Sequence, residues 1–196
     1  MAVLLTTFTA TLFLALEFAI FTGVLLSLIL YLIRTAHPSL VNLAPNKDAA
    51  KPVLSRTHEE CMQFKIVRID GSLFFGSVQH VQNFLYEIDK KSHFKRHVLV
   101  MASGINFIDV AGAEMLANES KRRRGLRGGL YLCELKREVR DFLQRGGYMD
   151  VIGNDHIFTS EKEAITKIFS QLDTSQCRHC RDPLFQECDM PDLVAS

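Results

Sequence analysis

Between Ala2 and Ile33 the sequence has almost no charge, and Glu17 is the only charged side chain in the run. A surface helix of a soluble domain is excluded by so long an apolar stretch, which reads as a membrane segment. No basic residues precede it, and it far exceeds the apolar stretch of about 7–15 residues in a secretory leader, so a leader fits poorly. The chain also lacks an excess of either charge: 23 Lys and Arg face 22 Asp and Glu, for a formal charge of +1. Its one basic run, Lys121-Arg122-Arg123-Arg124 with Arg127, has no interleaved aromatics to stack bases, and nucleic acid is not an expected partner. The glycines from Gly125 to Gly129 lack the spacing and the following Lys-Ser/Thr of a phosphate loop. No motif gathers a nucleophile, a base and an oxyanion donor, so no enzyme is expected. Internal repeats are absent as well.

A single straight helix over Ala2–Ile33 measures about 48 Å, too long for a hydrocarbon core of about 30 Å. Splitting it at Glu17 leaves two pieces of about 24 Å each, a short helical hairpin. Leu16-Glu17-Phe18 offers no Gly or Pro for the corner, so a long tilted helix is the rival arrangement. At a hairpin tip Glu17 meets headgroups at little cost. Gly23 and Ser27 form a small-xxx-small pair suited to close helix packing. The positive charges that follow, Arg34, Lys47, Lys51 and Arg56, place the remainder on the cytoplasmic side of an inner or plasma membrane.

Composition divides the chain into a membrane segment at 1–34, a linker at 35–60, a domain at 61–173 and a cysteine-containing tail at 174–196. Pro38, Pro45 and Pro52 mark the linker. Two strand-like runs around Asp70-Gly71 predict a hairpin. Val78, Val81, Phe84, Leu85 and Ile88 then recur at helical spacing. Val98–Met101 reads as a buried strand, Asp109–Arg124 as a helix and Gly129–Cys133 as a further strand. Lys136–Arg145 is expected to form a helix stopped by Gly146-Gly147, and Ile157-Phe158 a last short strand. A helix from Ser160 to Leu172 follows, with Ser160 and Glu163 spaced as a capping box. Strands alternating with helices predict an α/β fold.

The richest stretch runs from His97 to Leu116. An apolar run gives way to a polar corner, and Asp109 then stands where a helix N-cap belongs, ahead of the small residues Ala111, Gly112 and Ala113. Asp109-Val110-Ala111-Gly112 resembles the signature of STAS domains, which reads Asp-Ser-Ser-Gly in anti-sigma-factor antagonists. There the second serine is the phosphorylation switch. Here that position is Ala111, which cannot carry the charge a phosphate would bring to a helix N-terminus. The resemblance marks Asp109, Val110, Ala111, Gly112 and Glu114 as an interaction surface.

Two further segments extend the resemblance. Ile69–Gly76 looks like the opening of a STAS domain of the SulP type, and the N-terminal run is similar to the last two membrane helices of SulP anion transporters. Together they imply a STAS-like domain with a small mixed β-sheet flanked by helices, preceded by one or two short membrane spans. They also imply the C-terminal regulatory part of a sulfate- or bicarbonate-class transporter. Its partners would be the lipid bilayer, the remaining transporter membrane domain and a second copy in a homodimer. The helices that build the anion site are not in this sequence, so transport by the chain alone is not expected. A stand-alone membrane-anchored STAS protein that binds a signalling partner is the alternative.

The basic run Lys121-Arg122-Arg123-Arg124 reads as the solvated end of a helix with Gly125 just beyond it. His93 and His97 read as surface imidazoles. Cys61 looks isolated, and Cys133 a core residue. The tail carries Cys177-x-x-Cys180 and then Cys188, a spacing suited to zinc, with His179 the nearest fourth ligand. Redox pairing of Cys177 with Cys180, or a tail without any cofactor, are the other readings of that pattern.

Overall fold

A computed structural model describes residues 2–13, 16–45, 54–56, 61–91, 95–177, 185 and 188. These fall into two compact units, Met1–His37 and Pro38–Ser196.

The first unit holds α1 (Ala2–Phe13) and α2 (Leu16–Thr35), which pack against each other. The division falls just before Glu17 rather than at it, so the two pieces are unequal. Glu17 lies in the first turn of α2, where a carboxylate complements the helix dipole. At 12 residues α1 is about 18 Å long, whereas α2 with 20 residues reaches about 30 Å. Among the described residues only Glu17–Thr35 is long and apolar enough to cross a membrane. The small-residue contact is also shifted by one turn. Ala19 and Gly23 are buried while Ser27 is exposed, so Ala19–Gly23 replaces the expected Gly23–Ser27 pair. Thr9 and Thr22 donate their hydroxyl protons to the carbonyls of Leu5 and Phe18, which satisfies both hydroxyls within their own helices.

The second unit is a mixed sheet with strand order β2-β1-β3-β4-β6-β7. Its strands are β1 (Ser39–Pro45), β2 (Leu54–Arg56), β3 (Phe64–Leu73), β4 (His97–Met101), β6 (Gly129–Cys133) and β7 (Ile157–Phe158), with β5 (Ile105–Ile108) paired to the end of β3. β1 runs antiparallel to β2 and β3, while β3, β4, β6 and β7 are parallel. The crossovers are α3 (Phe75–Lys91), α4 (Val110–Gly125), and the pair α5 (Arg137–Arg145) and α6 (Tyr148–Ile152). α7 (Glu161–Phe169) and the short α8 (Thr174–Cys177) close the described structure. All five residues of β4 and of β6 are buried, which is why these strands read as unbroken apolar runs.

Alternation along the strands divides the core in two. Val67, Ile69, Val98, Val100, Leu130 and Leu132 pack with residues of α3, α4 and α5. Phe64, Ile66, Leu99, Met101, Tyr131 and Cys133 face Ala164, Ile165, Ile168 and Phe169 of α7. Burial pushes the Cys133 thiol up to about 12, as expected of an inert core cysteine.

Several expectations give way to the sheet. The stretch read as a linker supplies β1 and β2, because Leu40 and Leu43 pack on the two sheet faces despite the flanking prolines. The expected Asp70-Gly71 hairpin is a single ten-residue strand. Gly71, at φ +142°, marks a register shift as β3 passes from β4 to β5. The capping box is not formed: Ser160 is the N-cap of α7 but makes no side-chain cap bond, and both Ser160 and Glu163 are exposed. Gly125 ends α4 in open space, while the left-handed residue is Arg127 at φ 57°. The glycine that this turn requires is Gly128, where an added Cβ would lie 2.1 Å from Arg96 O.

Candidate functional site

The signature loop is organised by one carboxylate. Asp109 adopts extended backbone as the N-cap of α4, and its Oδ1 accepts from Gly112 N–H at 2.8 Å. Its Oδ2 accepts from Phe75 N–H, the first residue of α3, at 3.0 Å. Its own N–H donates to Leu73 O at 3.0 Å. One residue therefore serves the starts of two helices through its side chain and the end of β3 through its backbone. Asp109→Ala should cost about 1–3 kcal/mol in urea unfolding, and Asp109→Asn about half, since the amide keeps only one acceptor oxygen.

The expected surface residues divide between packing and exposure. Gly112 is buried against β3 and Ala111 is half-buried, whereas Val110 and Glu114 face outward. Sequence reading missed two aromatics in the same neighbourhood. Phe75 is 82% exposed and Phe107 56%, with Val110 at 55%. Phe75 is bonded to Asp109 and Val110 follows it in the chain, so both apolar side chains stand at the shared cap. Lys136 Nζ donates to Asn106 Oδ1 at 2.5 Å, which holds the start of α5 beside this edge. The signal available in the sequence was the doublet Phe74-Phe75, one aromatic more than a buried strand end requires.

The basic run is a solvated helix end only in part: Lys121 and Arg124 are exposed, but Arg122 and Arg123 turn inward. Arg123 is completely buried, and its Nε contacts Glu119 Oε1 at 2.6 Å, with Glu119 itself buried. Its terminal nitrogens reach Asp89 Oδ1 at 3.3 Å, the carbonyls of Lys95 and Arg96 at 3.3 Å, and that of Leu85 at 3.4 Å. Arg122 bridges Glu119 at 2.7 Å and Asp89 at 2.6 Å, and these partners hold its guanidinium proton more tightly than usual. Arg124 bonds the carbonyls of Val151 and Ile152. Packing of α4 against α3 draws Arg122 and Arg123 inward, where charge must be matched.

His97 is likewise not a surface imidazole, while His93 lies outside the described residues. His97 is buried on β4, with Nδ1 3.2 Å from Tyr131 Oη, and Tyr131 in turn donates to Gln171 Oε1. Burial, reinforced by the charges of Arg123, His156 and Arg96, lowers its pKa to about 4. Since an unfolded histidine titrates near 6.5, the unfolded chain takes up a proton between these values that the folded chain refuses. Stability from this group is complete above pH 6.5 and falls as pH drops toward 4, at no more than about 1.4 kcal/mol per pH unit. In urea titrations across this window, His97→Gln should remove that part of the slope.

In the tail, Cys177 ends α8 and Cys188 is half-buried, whereas His179 and Cys180 lie outside the described residues. Cys61 is not isolated: together with Cys177 and Cys188 it packs against the face containing Phe64 and Phe185.

The mixed sheet, the crossover helices and the capped signature loop define a domain class. Residues 53–164 match the family described as STAS domain, more than half of the sequence, and the chain belongs to that family. It is 24% identical over 162 residues to a putative sulfate transporter, YvdB, of Bacillus subtilis strain 168, covering 82% of this chain and 29% of that protein. To a probable sulfate transporter 4.2 of Arabidopsis thaliana it is 25% identical over 174 residues, covering 81% of this chain and 25% of that protein. The murine Solute Carrier 26 family member A9 anion transporter, solved in the inward-facing state, shares the fold at a TM-score of 0.72 and 20% identity. That match covers 85% of this chain and 28% of the murine chain. The chain thus spans less than a third of the length of each of these proteins.

Proposed function

We propose that this chain is the C-terminal part of a SulP-type secondary anion transporter, joining terminal membrane helices to a cytoplasmic regulatory STAS domain. The observation that carries this reading is the extent of the similarity. The two sulfate-transporter relatives align over 162 and 174 residues, more than the STAS match at 53–164 occupies, so the likeness continues outside the domain. A spanning-length apolar helix stands ahead of the domain, as such a transporter requires. The role is non-catalytic. The edge formed by Asp109, Val110, Phe75 and Phe107 docks on the transporter's membrane part or on a second copy of the chain. Sulfate or bicarbonate is the anion class, and the permeation path belongs to residues beyond this chain.

A stand-alone membrane-anchored STAS protein that binds a signalling partner without the phosphorylatable serine is not favoured, since both curated relatives are transporters by name. Immunoblotting of native membranes with an antibody to the second unit tests the reading. A carbonate-resistant band far above 22.2 kDa is expected, and a band at that mass in the soluble fraction would overturn it.

A further inference from the structure

The end of the sheet where the second unit begins is also the end that carries the exposed aromatics. Pro38, the first residue of that unit, is buried against Gly71, where an added Cβ would lie 2.9 Å from Pro38 Cβ. Ser39 pairs with Asp70, and Gly71 N–H donates to Gly104 O at 3.0 Å, so the chain enters the domain beside β5. Phe107 lies on β5, while Phe75 and Val110 open α3 and α4. Phe75 N–H reaches Asp109 at 3.0 Å, and Phe107 and Val110 lie on either side of that residue in the chain. All three apolar side chains are more than half exposed.

Upstream of Pro38, α2 is long and apolar enough to cross a membrane and carries Arg34 in its last turn, where a span meets headgroups. Only Ala36 and His37 separate Thr35, its last residue, from Pro38. Three residue steps extend about 11 Å at most, which tethers this end of the sheet to the bilayer surface.

We propose that Phe75, Phe107 and Val110 rest in the lipid headgroup layer, making this edge a peripheral membrane contact of the STAS domain. Resting on the reading above, this contact specifies it: in the membrane part on which the edge docks, these side chains meet lipid rather than protein. Phenylalanine and valine supply the apolar face of an interfacial contact, which sinks only to the boundary between headgroups and acyl chains. The polar side chains around them carry both signs. Asp70 is paired with Arg68 at 2.8 Å, Lys136 is bonded to Asn106, and Arg137 and Glu114 are exposed. A rim of balanced charge suits zwitterionic lipid, since an anionic surface selects clustered cations. Leu126 supplies the contrast. It is also exposed and apolar, but it caps the far end of α4, about 24 Å from Val110.

The chain contains no tryptophan, so a single introduced indole reports on its own position. Phe75→Trp, Phe107→Trp and Leu126→Trp are made separately in the full chain and reconstituted into phosphatidylcholine vesicles, plain or brominated on the upper acyl chains. Emission from Phe75→Trp and Phe107→Trp should be blue-shifted and lose much of its intensity in the brominated vesicles. Emission from Leu126→Trp should stay red-shifted and unquenched. Adding Phe107→Asp to the Phe75→Trp chain should restore a large part of the lost emission, while adding Leu126→Asp should not. Far-UV circular dichroism checks that each variant folds, and Phe107→Trp carries the test if Phe75→Trp does not. Blue-shifted but unquenched emission from Phe75→Trp and Phe107→Trp would overturn the lipid contact in favour of a second copy covering the edge. Emission matching that of Leu126→Trp, whether all are solvent-exposed or all are quenched, would overturn it as well. The two readings fail separately: loss of the lipid contact leaves the mass of the native product untouched, and a native product no larger than this chain leaves the quenching untouched.

Discussion

Replacing Arg123 by alanine is expected to destabilise the domain by about 3–5 kcal/mol, a large part of the stability of a domain of this size. The guanidinium is fully buried and ion-paired to a carboxylate that is itself buried, so its removal leaves Glu119 with only the partly exposed Arg122 as counter-charge. It also withdraws the donors that reach the carbonyls of Leu85, Lys95 and Arg96, and with them the ties between α4, the end of α3 and the approach to β4. Arg123→Met with Glu119→Leu should recover much of the loss, because two apolar groups leave no buried charge behind. Arg124→Ala, which gives up only its bonds to Val151 and Ile152, should cost about 1 kcal/mol. Urea unfolding followed by far-UV circular dichroism measures all three. Equal losses for Arg123→Ala and Arg124→Ala would refute the assignment of Arg123 as the buried keystone of α4.

The second large effect is expected at Gly112. A Cβ there would lie 2.5 Å from Leu73 O and 2.9 Å from Leu73 C, and both are backbone atoms of β3 that no side-chain rotation can move. Gly112→Ala should therefore cost about 3 kcal/mol, the upper end of the range for overpacking, and Gly112→Val more. The damage reaches beyond stability. Gly112 N–H is the donor that Asp109 caps, so pushing α4 off β3 pulls the cap apart and shifts Val110 at the exposed edge. By contrast Gly125→Ala, which meets open space, should be neutral or slightly stabilising because alanine is the better helix former. A pair of unfolding curves, one for each alanine variant, decides between a general aversion to substitution in α4 and a specific steric limit at its start.

What could be read from the sequence was local. The apolar runs of β4 and β6 and the cap at Asp109 announce themselves within a few residues, because buried parallel strands and capped helices have short-range patterns. What was hidden depends on partners distant along the chain. Arg123 reads as the end of a basic run until Asp89 and the carbonyls of Leu85, Lys95 and Arg96 are placed beside it, and His97 reads as polar until Tyr131 stacks near it. The prolines around β1 suppress the strand signal, yet its pairing with β3 extends from Ser39 opposite Asp70 to Leu43 opposite Ile66. Asp70-Gly71 carries the local chemistry of a turn, but β3 is held on both sides and continues straight through it. In the candidate site the cap was legible, whereas Phe75 came into it only through a bond spanning 34 positions.

The single carboxylate at Asp109 also sets how the domain breathes. Because Phe75 N–H and Gly112 N–H share it, neither helix start can fray without loosening the acceptor of the other. In native-state hydrogen exchange the two amides should open with the same free energy, although they belong to different helices. A force applied at the exposed Phe75 is thereby felt at the first turn of α4, so a molecule gripping one aromatic side chain handles two helices at once.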